Sequence, residues 1–360
     1  MAGPSVGGKR LAFLDWTRGF AACIMLQGHV SHSFTHKDLR NDSFYIFSQF
    51  FGGLTPAVFL FLTGVTLGFL MDSQSKKQPS GPRRILSTLL RARYLLVIGI
   101  LFHFQMWATA FGQSEWVNIF KVDILNCMAA GMLALSGAAL FDSRGRIRFA
   151  IGVSLAIAVA APLMTYLPWD GAPALLREYM VPGPGRGRFP FFPFASYVGF
   201  GLAAGAILRR TVPDRLERLV QWSVLIAIIL VFGAQYFANL PYSVYPQSDF
   251  WLNSPALILI RVGVCLLLLA ASYLWTEFGA GSGWSWMECL GKNSLMVYWV
   301  HVMLVYGSVA KPIKRTLGIP GTALATLSVM ALMVGLSAAW MWWKARRVAE
   351  RFRLAVASSQ

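Results

Sequence analysis

A chain of 360 residues that is 56% hydrophobic and only 13% charged, with a mean hydropathy of +0.55, is not a soluble globular domain. Its 32 Lys and Arg against 15 Asp and Glu leave a net charge of +17. In so apolar a chain that excess reads as anchoring against anionic lipid, and nucleic acid is not an expected partner.

Taken in order, about ten stretches are long enough to cross a hydrocarbon core: 11–33, 44–71, 85–107, 117–141, 147–168, 189–208, 217–238, 255–277, 288–308 and 320–343. Polar, Pro- or Gly-rich breaks separate them, among them KKQPSGPRR, DSRGRIR, PGPGRGR, RRTVPDR, YPQSDF and GAGSG. No break is long enough for a soluble domain, so the expectation is one all-α polytopic membrane domain over residues 1–360. With the N-terminus cytoplasmic, 20 Lys and Arg fall in inner segments and 9 in outer ones. That bias predicts both termini inside, with residues 34–43 and 168–188 on the outer side. The first span, lacking a small-residue cleavage site behind it, is expected to serve as an uncleaved anchor.

That first span carries the chemistry. Asp15, Arg18, Ala22, Met25, His29, His32 and His36 are separated by alternating steps of three and four, which predicts one narrow helix face for all seven. Ionisable groups within a bilayer are costly and usually face a protein interior or a wet cavity. Asp15 and Arg18 have a structural reading as an i,i+3 pair that neutralises itself. The histidines have one as hydrogen-bonded interior or boundary residues. Against these stand three functional readings: His29 as a general base, a His29–His32–His36 metal site, or a proton or substrate path in a transporter. Three histidines on one helix without a supporting carboxylate are a weak metal set, and no metal is expected.

Later spans add polar groups at comparable predicted depth: His103 in the third, Asp123 and Asn126 at the outer start of the fourth, Arg261 in the eighth and His301 in the ninth. Their placement predicts convergence on a cavity open to the outer side. The glycines of GFGLAAG (Gly199, Gly201, Gly205) read as close helix packing, because no strand precedes them. GAGSG at 279–283 reads as a flexible inner loop. Cys23, Cys127, Cys265 and Cys289 lie in or beside apolar spans, without metal-type spacing, and read as small packing residues.

KRLAFLDWTRGFAACIMLQGH followed by TPAVFLFLTGVTLGF resembles the start of the heparan-alpha-glucosaminide N-acetyltransferase catalytic-domain family. The order R-L-x-x-L-D-x-x-R-G, a mid-helix Met and then P-x-x-F-L-F-L-x-G carries the likeness. VDILNCMAAGMLAL, RFPFFPFASYVGFGLAAG, NSPALILIRVG and LGKNSLMVYWVHVMLVYG extend it in order along most of the chain. The resemblance implies a transmembrane acyltransferase-like bundle of ten or eleven helices, with acetyl-CoA supplied from the cytoplasm and an acceptor on the opposite side. Related bacterial membrane O-acyltransferases share the R-G…H helix, and there the histidine matching His29 is considered catalytic. In the lysosomal enzyme that position looks like Asn, and its catalytic His lies in the following loop, where His36 falls.

The expectation is therefore a bacterial inner-membrane acyltransferase that moves an acetyl or other acyl group from cytoplasmic acyl-CoA to a sugar or glycan. His29 or His36 would be the base, supported by Asp123 or Asn126. Arg18 or Arg261 would face the developing oxyanion. Asp15, Arg18, Lys292, Asn293 and Ser294 are the expected donor-binding residues, and His32, Asn126, Arg261 and His301 the substrate-binding ones. Arg83, Arg84, Arg91, Arg93 and Lys292 are available for CoA phosphates. Lipid, donor and acceptor are the expected partners, with a second copy of the chain a further candidate. The alternative is a multi-pass carrier of a small polar solute, disfavoured because no inverted repeats with paired broken helices are visible.

Overall fold

The computed structural model describes residues 11–77, 81–110, 112, 114–183, 188–279 and 283–357, with side chains to residue 350. Most of the GAGSG stretch therefore lies outside the described residues. Thirteen α-helices occur among them: α1 Ala12–Phe34, α2 Ser43–Gly52, α3 Thr55–Lys77, α4 Gly81–Ala108, α5 Ile124–Ala134, α6 Ser143–Tyr166 and α7 Ala174–Met180. They continue as α8 Phe191–Arg210, α9 Leu216–Ala238, α10 Pro255–Leu274, α11 Trp286–Lys292, α12 Ser294–Tyr306 and α13 Ile319–Ala357. The only extended pairing among the described residues is an isolated bridge between Thr35 and Leu317. The protein is an all-α polytopic membrane protein.

Among the described residues, seven helical stretches are long and apolar enough to cross a membrane: Ser43–Lys77, Gly81–Ala108, Ser143–Tyr166, Phe191–Arg210, Pro213–Ala238, Pro255–Gly279 and Ile319–Glu350. Three of the ten expected spans are not single continuous helices, and the first of these, 44–71, passes from α2 to α3 through a turn at Gly53 and Leu54. Residues 117–141 hold only the eleven-residue α5 between 3₁₀ turns at Trp116–Phe120 and Ser136–Leu140. Asp123 starts α5 by accepting from the Asn126 N–H at 3.1 Å. Residues 288–308 break at Asn293 (φ −115°, ψ 20°) into α11 and α12.

The described residues form two compact units, one of Pro56–Leu274, the other of Leu11–Thr55 with the residues from Trp275 onward. In the first, α3 and α8 run parallel in backbone contact. A Cβ on Gly201 would strike the Phe61 carbonyl, one on Gly205 the Val65 carbonyl, and one on Gly64 the Val198 carbonyl. Small residues permit this approach, and in an apolar solvent close van der Waals packing is what holds helices together. The GFGLAAG glycines serve that packing. Arg146, 1% exposed, donates to the Ala138 and Phe141 carbonyls and to Ser75 Oγ, pinning the α5–α6 connection to the end of α3. Asp72 of α3 accepts from Arg209 at 2.9 Å and lies 3.2 Å from Lys76.

In the second unit, α11 crosses α1. A Cβ on Gly19 would meet the Met287 carbonyl, and one on Gly291 the Asp15 carbonyl, so contacts move toward the N-terminus of α1 as α11 advances. Along α12 they move the other way: His301 meets His29, and Val305 accepts from Ser33 at 2.9 Å. The chain changes sense relative to α1 at Asn293. The far end of α1 is tied down by backbone bonds from Arg315 to Ser33, Leu317 to Phe34 and His36 to Leu317.

Candidate active site

The stripe predicted on α1 faces inward for most of its length. Asp15, Ala22 and Met25 are buried, and Arg18, His29 and His32 are partly exposed. The periodicity overreaches at its last member. Helix α1 ends at Phe34, Thr35 takes an extended conformation (φ −63°, ψ 133°), and His36 leaves the helical face. His36 caps the following 3₁₀ turn and sits half-exposed, 3.3 Å from Asp38.

His29 Nδ1 lies 2.8 Å from His301 Nε2, with the rings stacked at 18°. His301 Nδ1 lies 2.6 Å from the Val297 carbonyl, which can only accept. For neutral rings this chain of bonds fixes both tautomers. His301 carries its proton on Nδ1 and accepts at Nε2. His29 therefore donates from Nδ1 and bears its lone pair on Nε2. His301 is fully buried, whereas His29 is not. A buried imidazole thus orients a more accessible one, with a backbone carbonyl behind it, the arrangement a positioned general base requires.

Tyr306 closes the group. Its ring meets His29 edge-on at 5.4 Å, and its hydroxyl is hydrogen-bonded to His32 Nδ1 at 3.3 Å. Arg40 donates to the His32 carbonyl at 2.7 Å, and Lys314 donates to that of Tyr306 at 2.6 Å. Neither Tyr306 nor the role of His301 toward His29 was visible in the sequence.

About 21 Å back along α1, at 1.5 Å per residue, lies the Asp15–Arg18 pair, 3.2 Å apart. Asp15 is 3% and Arg18 24% exposed at the side chain. Of the other expected donor-binding residues, Lys292 pairs with Glu288 at 2.9 Å, and Asn293 donates to the Cys289 carbonyl at 2.9 Å. Ser294 opens α12. These three form the corner where the chain changes sense.

The remaining predicted residues belong to the Pro56–Leu274 unit and form their own groups. His103 Nε2 is 3.5 Å from Asp123 Oδ2, and Asn126 Nδ2 donates to Tyr179 Oη at 2.7 Å. Tyr179 lies on α7, whose seven residues are too few to span a membrane, and burial pushes its phenol pKa up. Arg261 lies beside the buried Tyr197 of α8.

Residues 11–342 match a family described as an acyltransferase domain. No curated protein shows a significant match to the chain. Apart from Lys9 and Arg10, the family match spans the segments on which the resemblance to the heparan-alpha-glucosaminide N-acetyltransferase family rests, and it supports the broader membrane-acyltransferase relationship without that narrower one. With apolar helices long enough for repeated crossing and a matched domain over almost its whole length, the chain is a multi-pass membrane protein that belongs to this acyltransferase family.

Proposed function

We propose that this protein transfers an acetyl or related acyl group from acyl-CoA to a hydroxyl of a sugar or glycan, with His29 as general base. The observation that carries the proposal is the hydrogen-bonded chain from His29 Nδ1 through His301 to the Val297 carbonyl, from which the His29 tautomer follows. Nε2 of His29 takes the hydroxyl proton as the acceptor oxygen attacks the thioester carbonyl. The tetrahedral intermediate collapses, the C–S bond breaks, and the CoA sulfur leaves with the proton returned by His29. His301, accepting from His29 Nδ1, holds the ring through both proton movements and spreads the transient imidazolium charge.

Arg18 and Lys292 are suited to the CoA phosphates. They lie toward the end of α1 where α11 crosses it, and keep 24% and 29% of their side chains exposed. Asp15 holds Arg18 in place. The distribution of Lys and Arg supports placing this end on the cytoplasmic side of a bacterial inner membrane, with both termini inside. His32 and Tyr306 supply polar contacts for the acceptor next to the base.

The test is acyl transfer from labelled acetyl-CoA to a panel of glycans by purified protein in nanodiscs, comparing His29→Ala, His32→Ala and His36→Ala at matched folded yield. Loss of kcat in His29→Ala, with a raised acceptor KM in His32→Ala and near-normal turnover in His36→Ala, supports the assignment. Near-normal turnover in His29→Ala with loss in His36→Ala moves the base to the loop. Full turnover in all three sinks the mechanism.

A further inference from the structure

Between the end of α8 and the first turns of α9 the sequence reads RRTVPDRLERLVQW, and the structure folds it around a cavity of about 600 Å³. Arg210, Arg215 and Arg218 line its polar part, and Ile147, Ile207 and Trp222 its apolar part. The volume is ample for a lipid headgroup and glycerol backbone. The neighbouring Arg209 is already neutralised by Asp72. Among the described residues no carboxylate lies within ion-pair distance of the three lining arginines. The acidic groups nearby are Asp142, whose charge Arg210 feels while it caps α6 through the Gly145 and Arg144 N–H groups, and the exposed Asp214 and Glu217 of the same segment. Anchoring alone needs cations near the boundary. It does not need three guanidiniums lining one concavity.

Out of this cavity leads a stripe on α9. Trp222, Leu225, Ile229 and Phe232 follow one another at steps of three, four and three, with Trp222 57%, Ile229 61% and Phe232 71% exposed. Only 11% of the apolar window of this helix is buried within the protein. An apolar, outward helix face of that kind is suited to contact with acyl chains. Its Trp stands where interfacial aromatic residues gather, directly beside the cations.

We propose that this pocket is a binding site for an anionic phospholipid, with the phosphate held by Arg210, Arg215 and Arg218 and an acyl chain lying along the α9 stripe. Guanidinium forks match phosphate oxygens bidentately, which an ammonium cannot do. A soluble phosphate ester shares the headgroup chemistry but has no use for the stripe, and this decides for the lipid.

The experiment is native mass spectrometry of the full chain released from nanodiscs containing equal phosphatidylglycerol and phosphatidylcholine of matched chains. The wild type is expected to retain phosphatidylglycerol with at least about tenfold preference. The R210Q/R215Q/R218Q variant should lose that preference while its acyl transfer stays unchanged. Should that variant not fold, R210K/R215K/R218K keeps the charge and removes the forks, and its preference should fall severalfold. Unchanged preference in the Lys variant overturns the proposal, as does unchanged preference in the Gln variant. A third arm adds free CoA or inorganic phosphate at millimolar concentration. Displacement of phosphatidylglycerol by either, with Ile229→Asn leaving retention intact, assigns the pocket to a soluble phosphate and also overturns it.

Discussion

Two histidine clusters, one in each compact unit, put the same side chain to different uses. In the Pro56–Leu274 unit, His103 stands 3.5 Å from an Asp123 oxygen without hydrogen-bond geometry, while the other Asp123 oxygen starts helix α5. Asn126 is held by Tyr179, and its Oδ1 lies where a Cβ on Gly99 would collide. The Asp123 Oδ1 contact starts α5, and the Asn126–Tyr179 bond ties that start to α7. In the other unit, His29 of its Leu11–Thr55 part is hydrogen-bonded at 2.8 Å to a second imidazole that is itself bonded to a backbone carbonyl. That contact fixes a tautomer. A carboxylate beside a histidine is the more familiar catalytic sign, yet here the His–His pair has the geometry of a positioned base and the His–Asp pair that of a helix cap.

The sharpest way to break this contrast is to remove both candidate bases in turn. His29→Ala is expected to lower kcat by about 10²–10⁴-fold, the usual contribution of a general base, with little change in the KM for acyl-CoA. Asp123→Asn keeps an oxygen for the Asn126 N–H and so keeps the cap. It is expected to change kcat by less than threefold. A loss above a hundredfold in Asp123→Asn would reverse the two roles. The comparison is made by steady-state acyl transfer on variants matched for folded yield.

His301→Phe sharpens the contrast within one cluster. The ring volume is retained, but the acceptor for His29 Nδ1 is lost, so His29 no longer has its tautomer fixed. A net hydrogen bond of about 0.5–1.5 kcal/mol corresponds to up to about tenfold, and that fall is expected in kcat with KM unchanged. A rise in KM alone would instead return His301 to the substrate-contact role that its position in the ninth span first implied.

The sequence made much of this legible, and its failures have physical causes. The three-four spacing located the inward face of α1, since helical periodicity is a local property. It failed at His36 because nothing in the periodicity marks Thr35 as extended. The backbone bonds that hold it there come from residues 315 and 317. Apolar length located the long helices, but length cannot distinguish one span from two short helices meeting at an angle. The GKNS sequence held the turn signal at Asn293, and the apolar runs on either side obscured it. The His29–His301 bond joins residues 272 apart, and Tyr179 reaches Asn126 from a helix of seven residues. Neither leaves any local pattern. Arg146 stands in the cationic break DSRGRIR, whose composition suggests a boundary loop, yet it is among the most buried side chains.

Packing around the two clusters should separate them by stability as well. Gly291→Ala places a methyl against the Asp15 carbonyl, backbone that cannot move aside as a side chain tip would. An overpacked site of this kind costs about 1–3 kcal/mol. Because the α1–α11 crossing holds the Asp15–Arg18 pair in the same unit as His29, this variant is expected to lower both the thermal midpoint and the affinity for acyl-CoA. A lower midpoint with unchanged acyl-CoA affinity would remove Arg18 and Lys292 from donor binding and leave the histidine pair standing.

The smallest effect belongs to Tyr179→Phe, which tests whether the Asp123 cluster is structural throughout. Asn126 Nδ2 would lose its 2.7 Å partner and keep only the Lys121 carbonyl at 3.5 Å. Leaving a buried polar group poorly satisfied costs about 1–3 kcal/mol, at the low end here because that second acceptor remains. The raised phenol pKa means that Tyr179 is protonated, and able to accept from Asn126, throughout the neutral range. The substitution should therefore lower the thermal midpoint by the same amount at pH 6 and pH 8, with kcat unchanged at both. A kcat loss that varies with pH would show that the phenol proton takes part in the reaction, and the cluster in the Pro56–Leu274 unit would then be catalytic after all.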